Sequence, residues 1–289
     1  MTPSATAQHA VSTPDGRRIA VLVAGPDDGL PVLFAHIAPG SRRFDPEPDA
    51  TAAAGVRLIT LDRPGYGGSE PLPEGTSPTI PLFADDCAVV LDQLGVRTAA
   101  TAGWSAGGRV VMALAARRPD LVRSVGLIGT PAPDEEVAWI GPDERQMIAA
   151  LSADPASALH TLEQILTPMT SDPVAALGML GAAPADAAAL TEGDLRSALQ
   201  TMLTEAFAQG PGGLAADLIS YTMAAWGFDP RAVGAPVRCW YGEADEVVSP
   251  DHGRWWADQV ADGTLTVVPA AGHLLVRAVW SEVLRWSTT

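Results

Sequence analysis

A serine flanked by small residues is the strongest chemical signal in the chain. The segment Gly-Trp-Ser-Ala-Gly-Gly (103–108) contains the pattern G-x-S-x-G. The apolar run 98–104 predicts a strand before it, and the periodicity of 106–118 predicts a helix after it. In that context the pattern indicates a nucleophile elbow, a sharp turn that lifts the serine hydroxyl towards a helix N-terminus. Ser105 is therefore the candidate nucleophile.

A serine hydroxyl needs a base before it can attack a carbonyl carbon. The chain offers five histidines: His9, His36, His160, His252 and His273. His273 follows the last predicted strand, 264–269, and the carboxyl ends of strands are where open α/β sheets place functional residues. We therefore expect His273 to be the general base.

An acid that orients the histidine is expected between these two residues in the sequence. Asp245 follows the predicted strand 236–242, and the order Ser105, Asp245, His273 is the one that an elbow on an α/β sheet uses. Asp134, after the strand 122–130, is the competing candidate. Glu243 and Glu246 are expected to face solvent.

The elements that must position these residues alternate along the chain. A turn at Pro14-Asp15-Gly16 separates two β-rich segments, and the alternation begins after them. Further strands are predicted at 31–36, 56–61, 98–104, 122–130, 236–242 and 264–269, and helices near 45–54 and at 80–95, 106–118, 250–262 and 274–287. In the segment 80–95, Thr79 is the expected N-cap, Pro81 fits the first turn and Gly95 lies just past the end of the helix. Such alternation predicts a mostly parallel sheet covered on both faces.

Residues 131–231 depart from this alternation. They contain Ala-, Leu- and Met-rich helical segments, of which 191–210 is the clearest, with Thr191 as its expected N-cap. About 100 residues is long for an ordinary crossover between strands. We therefore predict three parts: a first core part at 1–130, a helical cap at 131–231, and a second core part at 232–289.

Composition narrows the class of protein. The 289 residues carry a net charge of -16, and all 18 basic residues are Arg, so a nucleic-acid partner is not expected. Cys87 and Cys239 lie in apolar segments and are read as core residues. The first 21 residues lack the pattern of a secretory signal, and no apolar run nears the ~20 residues of a membrane helix. We expect a cytoplasmic protein without a metal site or a membrane partner.

Several motifs together resemble the α/β-hydrolase superfamily, in the branch of proline iminopeptidases, epoxide hydrolases and small bacterial esterases. The matching segments are Phe-Ala-His-Ile-Ala-Pro-Gly (34–40), Asp-Arg-Pro-Gly-Tyr-Gly-Gly-Ser (62–69), Gly-Trp-Ser-Ala-Gly-Gly (103–108) and those around Asp245 and His273. The resemblance implies the α/β-hydrolase fold, a mostly parallel central sheet with helices on both faces and an inserted helical cap. It also implies an oxyanion hole made by the backbone N–H groups of Ala38 and Ala106.

The sequence departs from the family pattern at one position of that hole. Ile37 stands where the family has glycine, and a β-branched residue disfavours positive φ. We expect Ile37 to keep a negative φ and the Ala38 N–H to remain available. Arg63 is expected to be buried or paired, whereas Arg42 and Arg43 are expected to be surface charges.

The resemblance implies a serine hydrolase that cleaves a carboxylic ester, lactone or thioester of a small, largely apolar substrate through an acyl-enzyme, without a cofactor. An acyl transferase or cyclising enzyme of secondary metabolism with the same triad remains an alternative, as do an aminopeptidase and a non-enzymatic ligand-binding protein. Epoxide hydrolases and dehalogenases of this fold need aspartate in place of Ser105. The candidate pocket residues are Ile37, Trp104, Trp139 and Trp226, and the sequence leaves the oligomeric state open.

Overall fold

The computed structural model describes residues 6–170, 172–180, 183–191 and 193–289. Its centre is a sheet of eight strands in the order β1-β2-β4-β3-β5-β6-β7-β8. Only the pairs β1–β2 and β2–β4 are antiparallel. The strands are β1 (Thr6–Ser12), β2 (Arg18–Ala24), β3 (Leu30–Ala35), β4 (Val56–Leu61), β5 (Ala99–Trp104), β6 (Val122–Ile128), β7 (Val237–Gly242) and β8 (Gly263–Val268). The predicted mostly parallel α/β sheet is confirmed.

Strand β3 shows why its sequence is apolar throughout. Val32 and Phe34 belong to one core cluster, whereas Leu33 and Ala35 belong to another. Since successive side chains of a strand point to opposite faces, the sheet is buried on both sides. Its sequence therefore does not alternate between apolar and polar residues.

Helices cover the two faces. Residues of α2 (Ile80–Gln93), α3 (Ala106–Arg117) and α10 (Pro250–Gln259) join the core cluster of Leu33. Residues of α1 (Pro48–Ala54) and α11 (Val276–Ser287) pack with the cluster of Phe34. Helix α2 begins as predicted, because the Thr79 side chain accepts a hydrogen bond from the Leu82 N–H and Pro81 lies in the first turn.

Between β6 and β7 the described residues form six helices and a short 3₁₀ turn. They are α4 (Pro142–Ser152), α5 (Pro155–Thr170), α6 (Pro173–Leu180), α7 (Pro184–Ala189), α8 (Leu195–Ala206), α9 (Gly212–Thr222) and the turn Pro230–Ala232. Between β6 and β7 the described residues contain no strand. We call α4–α9 the inserted helices.

The predicted start of the helix within 191–210 is wrong. Helix α8 begins at Leu195, after Asp194 in the N-cap position. Thr191 does not cap it, because the Thr191 hydroxyl donates to the Ala188 carbonyl at the end of α7. Glu192 lies outside the described residues.

Two further sequence predictions concern the burial of the cysteines and the length of apolar helices. Cys87 and Cys239 are free thiols in the core, as expected. Within the described ranges, none of the helices has both the length and the apolar character needed to cross a bilayer.

Candidate active site

Ser105 occupies a strained turn between β5 and α3. Its backbone angles are φ 54° and ψ -121°, a conformation that residues with a side chain rarely adopt. The Ser105 N–H donates to the Ile128 carbonyl at 2.8 Å, and the Ser105 carbonyl accepts from the Gly108 N–H at 3.0 Å. These bonds to β6 and α3 hold the serine at the carboxyl end of the sheet.

The glycines around Ser105 allow the turn to close. A Cβ at Gly103 would lie 2.4 Å from the Gly108 Cα, and one at Gly107 would lie 2.1 Å from the Ala35 carbonyl oxygen. A Cβ at Gly108 would lie 1.8 Å from the Thr130 hydroxyl oxygen. Each distance is far below a normal contact, so all three positions require glycine.

The structure brings together the three residues that the sequence singled out. Nε2 of His273 lies 3.1 Å from Oγ of Ser105, and Nδ1 of His273 lies 2.8 Å from Oδ2 of Asp245. Because a carboxylate only accepts hydrogen bonds, Nδ1 carries the hydrogen in the neutral ring, and Nε2 is left to accept from the serine hydroxyl. His273 and Asp245 are buried, with 4% and 6% exposure.

Asp245 is oriented by the loop that follows β7. Its Oδ1 accepts from the N–H groups of Val247 and Val248, both at 2.8 Å, which leaves Oδ2 for His273. Glu243 and Glu246 are exposed, as predicted.

Asp134, the competing acid, has other partners. Its Oδ1 accepts from the backbone N–H groups of Trp139 and Ile140. Its Oδ2 pairs with Arg145 at 2.7 Å. The Asp134 carboxylate thus supports the chain that leads into α4.

Asp186 on α7 is a residue that the sequence analysis missed. It is 1% exposed, and its carboxylate accepts from the Leu274 N–H at 2.7 Å and from the His273 backbone. A Cβ at Gly272 would lie 2.4 Å from this carboxylate. On the other side, Nε1 of Trp104 donates to the His273 carbonyl at 3.0 Å. An inserted helix and β5 thus fix the backbone that carries the histidine.

The loop after β3 is held by its carbonyl groups. The Ile37 carbonyl accepts from Nδ1 of His36 at 2.7 Å and from Nη2 of Arg63 at 3.1 Å. The peptide bond between Ile37 and Ala38 is trans, so the Ala38 N–H points away from that carbonyl and from Arg63. Ile37 is not among the residues with positive φ, as expected.

Arg63 forms the buried anchor of this loop. It is 3% exposed, pairs with Asp217 of α9 at 2.5 Å, and also donates to the His36 carbonyl at 2.7 Å. This matches the prediction that Arg63 is buried and paired. Burial, together with the nearby Arg63 cation, holds the pKa of His36 well below its usual range, so His36 is neutral.

The expectation for Arg42 is wrong. Arg42 is buried and pairs with Asp62 and with Glu205 of α8. The carboxylates that neutralise it come from residues distant in sequence, not from the acidic residues just after it. Arg43, which is 35% exposed at its side chain, lies 3.7 Å from the same Glu205.

A cavity of about 180 Å³ opens beside Ser105 and His273. Its lining is mostly apolar. The core contributes Ile37, Ala38, Pro39, Ala106, Arg109, Pro131, Val247 and Val248, the segment before α4 contributes Trp139, and the inserted helices contribute Met169, Ala176, Leu180 and Tyr221. Two of the candidate pocket residues, Ile37 and Trp139, are among these lining residues.

The pocket prediction is wrong for Trp104 and Trp226, which are not among the lining residues. Trp104 is fully buried against Phe44 and His273. Trp226 stacks on Trp256 on α10. Trp104 thus belongs to the core, and Trp226 is a partly buried residue packed against it.

In the described part of the chain, no three His, Cys, Asp or Glu side chains form a group that could hold a metal ion. The hydrogen bonds among Ser105, His273 and Asp245 bring together a hydroxyl, an imidazole and a carboxylate.

A parallel sheet with a serine elbow on β5 and helices inserted after β6 is the architecture of an α/β hydrolase. The sequence pattern of the alpha/beta hydrolase fold family matches residues 31–276, and the chain belongs to that family.

Esterases and other hydrolases are among the relatives of the chain, as are non-heme haloperoxidases. The chain is 31% identical over 223 residues to a pimeloyl-[acyl-carrier protein] methyl ester esterase of Chromobacterium violaceum, covering 74% of this chain and 75% of that protein. It is 31% identical over 210 residues to a 2-hydroxy-6-oxononadienedioate/2-hydroxy-6-oxononatrienedioate hydrolase of Burkholderia vietnamiensis. That match covers 70% of this chain and 66% of that protein. A solved esterase from Rhodococcus shares the fold, with a TM-score of 0.70 and 22% identity over 96% of this chain and 97% of that one. The protein is an esterase-like hydrolase.

Proposed function

We propose that the protein hydrolyses a carboxylic ester, lactone or thioester of a small substrate through an acyl-enzyme on Ser105. The observation that carries this proposal is the continuous chain of hydrogen bonds from Ser105 through His273 to Asp245. Ser105, the first residue of this hydrogen-bond series, lines a cavity large enough for a small molecule. The proposed reaction uses no cofactor.

In the first half of the reaction, Oγ of Ser105 attacks the carbonyl carbon of the substrate. Nε2 of His273 takes the serine proton as the new C–O bond forms, and Asp245 stabilises the resulting imidazolium. The bond to the leaving alcohol or thiol then breaks, and His273 returns the proton to the leaving atom. An acyl group remains bound to Ser105.

The negative charge on the tetrahedral intermediate needs donors on the cavity side. Ala106 is the first residue of α3, so its N–H has no partner within the helix. The Ala38 N–H points away from the Arg63 anchor, and Ala38 lines the cavity together with Ser105. These two N–H groups are the oxyanion donors of the proposal.

In the second half, water takes the place of the leaving group. His273 removes a proton from the water, the oxygen attacks the acyl carbon, and the bond to Oγ of Ser105 breaks as the proton returns to the serine. If another nucleophile reached the acyl-enzyme first, the product would be a transferred or cyclised acyl group. Product analysis separates these outcomes.

We further propose that residues 131–231 act as a cap that selects the substrate. Trp139 and four residues of the inserted helices line the same cavity as Ser105. Their replacement by smaller residues should alter the preferred acyl group without altering the basic chemistry.

Labelling with a fluorophosphonate tests the proposed nucleophile. The wild-type protein should gain the mass of the phosphonyl group at Ser105, whereas Ser105→Ala should remain unlabelled and lose ester hydrolysis while keeping its fold. Ser197→Ala, at an exposed position on α8, is the matched control and should behave as wild type. Labelling of another serine, or wild-type turnover by Ser105→Ala, would refute the proposal.

A further inference from the structure

Arg109 is a buried cation in the wall of the cavity. It lies on α3, four residues after Ser105, is 1% exposed, and lines the same cavity as the serine. Its Nε donates to the Pro131 carbonyl at 3.0 Å and its Nη2 to the Ala132 carbonyl at 3.4 Å. Its Nη1 is buried without a hydrogen-bond partner. The guanidinium therefore has an unused donor.

The other buried arginines differ from Arg109 in one respect. In the described part of the chain four arginines are buried, and the other three each have a carboxylate partner. These pairs are Arg17 with Asp86, Arg42 with Asp62, and Arg63 with Asp217. Arg109 forms no such pair among the described residues. Its charge is therefore buried without a counter-ion from the described part of the chain.

Aromatic rings surround the Arg109 guanidinium. Its central carbon lies 4.8 Å from the ring centre of Tyr221, 5.0 Å from that of Trp226 and 5.5 Å from that of Trp139. Such contacts stabilise a cation but supply no hydrogen-bond acceptor. Burial lowers the pKa of Arg109 to about 10, so the side chain remains charged at neutral pH.

A second unused donor belongs to the same group of side chains. Nε1 of Trp139 is buried without a hydrogen-bond partner, and Trp139 also lines the cavity. No Asp or Glu occurs among the lining residues of the described structure. Buried donors normally have acceptors, and an unpaired buried charge is costly. Two unused donors, one of them cationic, indicate that an anionic acceptor comes from the ligand.

We infer that Arg109, assisted by Trp139, binds a carboxylate of the substrate, so that the protein acts on an ester or lactone that also carries a free carboxylate. This inference rests on the proposed hydrolysis at Ser105. Four helical residues correspond to about 6 Å of rise, so the carboxylate and the scissile carbonyl belong to the same small molecule. The rest of the lining accommodates the apolar carbon chain between them.

The test compares two esters that differ in charge. Monoethyl glutarate carries the carboxylate, and ethyl pentanoate has the same chain length without it. For the wild type we expect kcat/KM to be roughly 10- to 100-fold higher for the charged ester, as for a hydrogen bond to a charged group. Arg109→Met should abolish this preference. Arg117→Met removes an exposed arginine at the end of the same helix and should retain it.

A second variant keeps the test valid if Arg109→Met fails to fold. Trp139→Phe removes the indole N–H and retains an aromatic ring, and it should reduce the preference for monoethyl glutarate several-fold. A wild type without preference, or an unchanged preference in either variant, overturns the inference even when Ser105 is labelled by the fluorophosphonate.

Measurements of ester binding distinguish a failure of this inference from a failure of the proposed reaction. Calorimetry with Ser105→Ala should show monoethyl glutarate bound at least ten-fold more tightly than ethyl pentanoate, and the added change Arg109→Met should remove the difference. If Ser105 is never labelled but the two esters still differ in affinity, the carboxylate site is supported and the serine mechanism is refuted. Equal binding of the two esters refutes the carboxylate site.

Discussion

The Arg63→Lys substitution tests whether the anchor of the loop after β3, which carries the proposed oxyanion donor Ala38, controls turnover. Arg63 makes four contacts of 2.5–3.1 Å, two to the Asp217 carboxylate and one each to the carbonyls of His36 and Ile37. Lysine keeps the charge, but its single ammonium lacks the planar fork that spans these acceptors. We expect the Ile37 carbonyl to lose this donor and the Ala38 N–H to lose its fixed direction.

The expected loss follows from the contacts that remain. A fully lost oxyanion donor costs about 10²–10³ in kcat. His36 still holds the Ile37 carbonyl at 2.7 Å, so the peptide keeps one of its two anchors. We therefore expect kcat to fall by roughly ten-fold, with KM little changed, because the affected interaction forms in the transition state. Steady-state hydrolysis of a p-nitrophenyl ester well below the unfolding temperature measures both parameters.

Arg17→Lys is the matched control. Arg17 makes a similar two-pronged contact to the buried Asp86, at 2.8 Å for both bonds, and does not line the cavity. Each lysine variant should lower the free energy of unfolding by about 1–3 kcal/mol, the cost of lost hydrogen bonds to a charged group. Only Arg63→Lys should slow turnover. Equal kinetics of the two variants, whether both slow or both normal, would refute the role of the anchor.

Three further predictions concern the acid, the folding equilibrium and the cavity. Asp245→Asn should lower kcat by a factor of about 10⁴, the effect of the corresponding change in serine proteases. Asp134→Asn should change kcat only slightly. If kinetics show the large loss for Asp134→Asn and the small one for Asp245→Asn, Asp134 is the acid that orients His273. Burial lowers the pKa of His252 to about 4, so protonation of the unfolded chain should remove up to about 3 kcal/mol of stability as pH falls from about 6.5 to about 4. His252→Asn retains an acceptor for the Ala132 N–H and should flatten urea-derived stability over that window; an unchanged slope would exclude His252 as the titrating group. Ile37→Ala should enlarge the cavity and favour bulkier acyl groups in a panel of esters, and an unchanged ranking would show that Ile37 does not limit substrate size.

The sequence predicted the parts of the site that depend on local structure. The serine turn requires glycines two residues away on each side, and Gly103 and Gly107 satisfy that requirement. Asp245 and His273 follow strands directly, so the carboxyl edge of a parallel sheet brings them towards the elbow without further information. The capping residue Thr79 was likewise predicted from its immediate neighbours.

Contacts between distant segments could not be predicted in this way. Asp186 holds the backbone of Leu274 across 88 positions, and nothing in the alanine-rich segment around it distinguishes it from a surface residue. The burial of Arg42 could not be predicted because one of its partners, Glu205, lies on an inserted helix. The significance of Arg109 depends on its unpartnered Nη1 and on its forming no ion pair among the described residues, which only the packing reveals.

The crowding around the elbow also sets where this protein can be engineered. Any side chain at Gly103, Gly107 or Gly108 would overlap atoms of the backbone or of Thr130, so a library randomised there should consist almost entirely of inactive members. Another part of the cavity wall comes from residues of the inserted helices, such as Met169 and Leu180, whose replacement leaves the turn untouched. Directed evolution of new substrate ranges should therefore draw nearly all its improved variants from that wall.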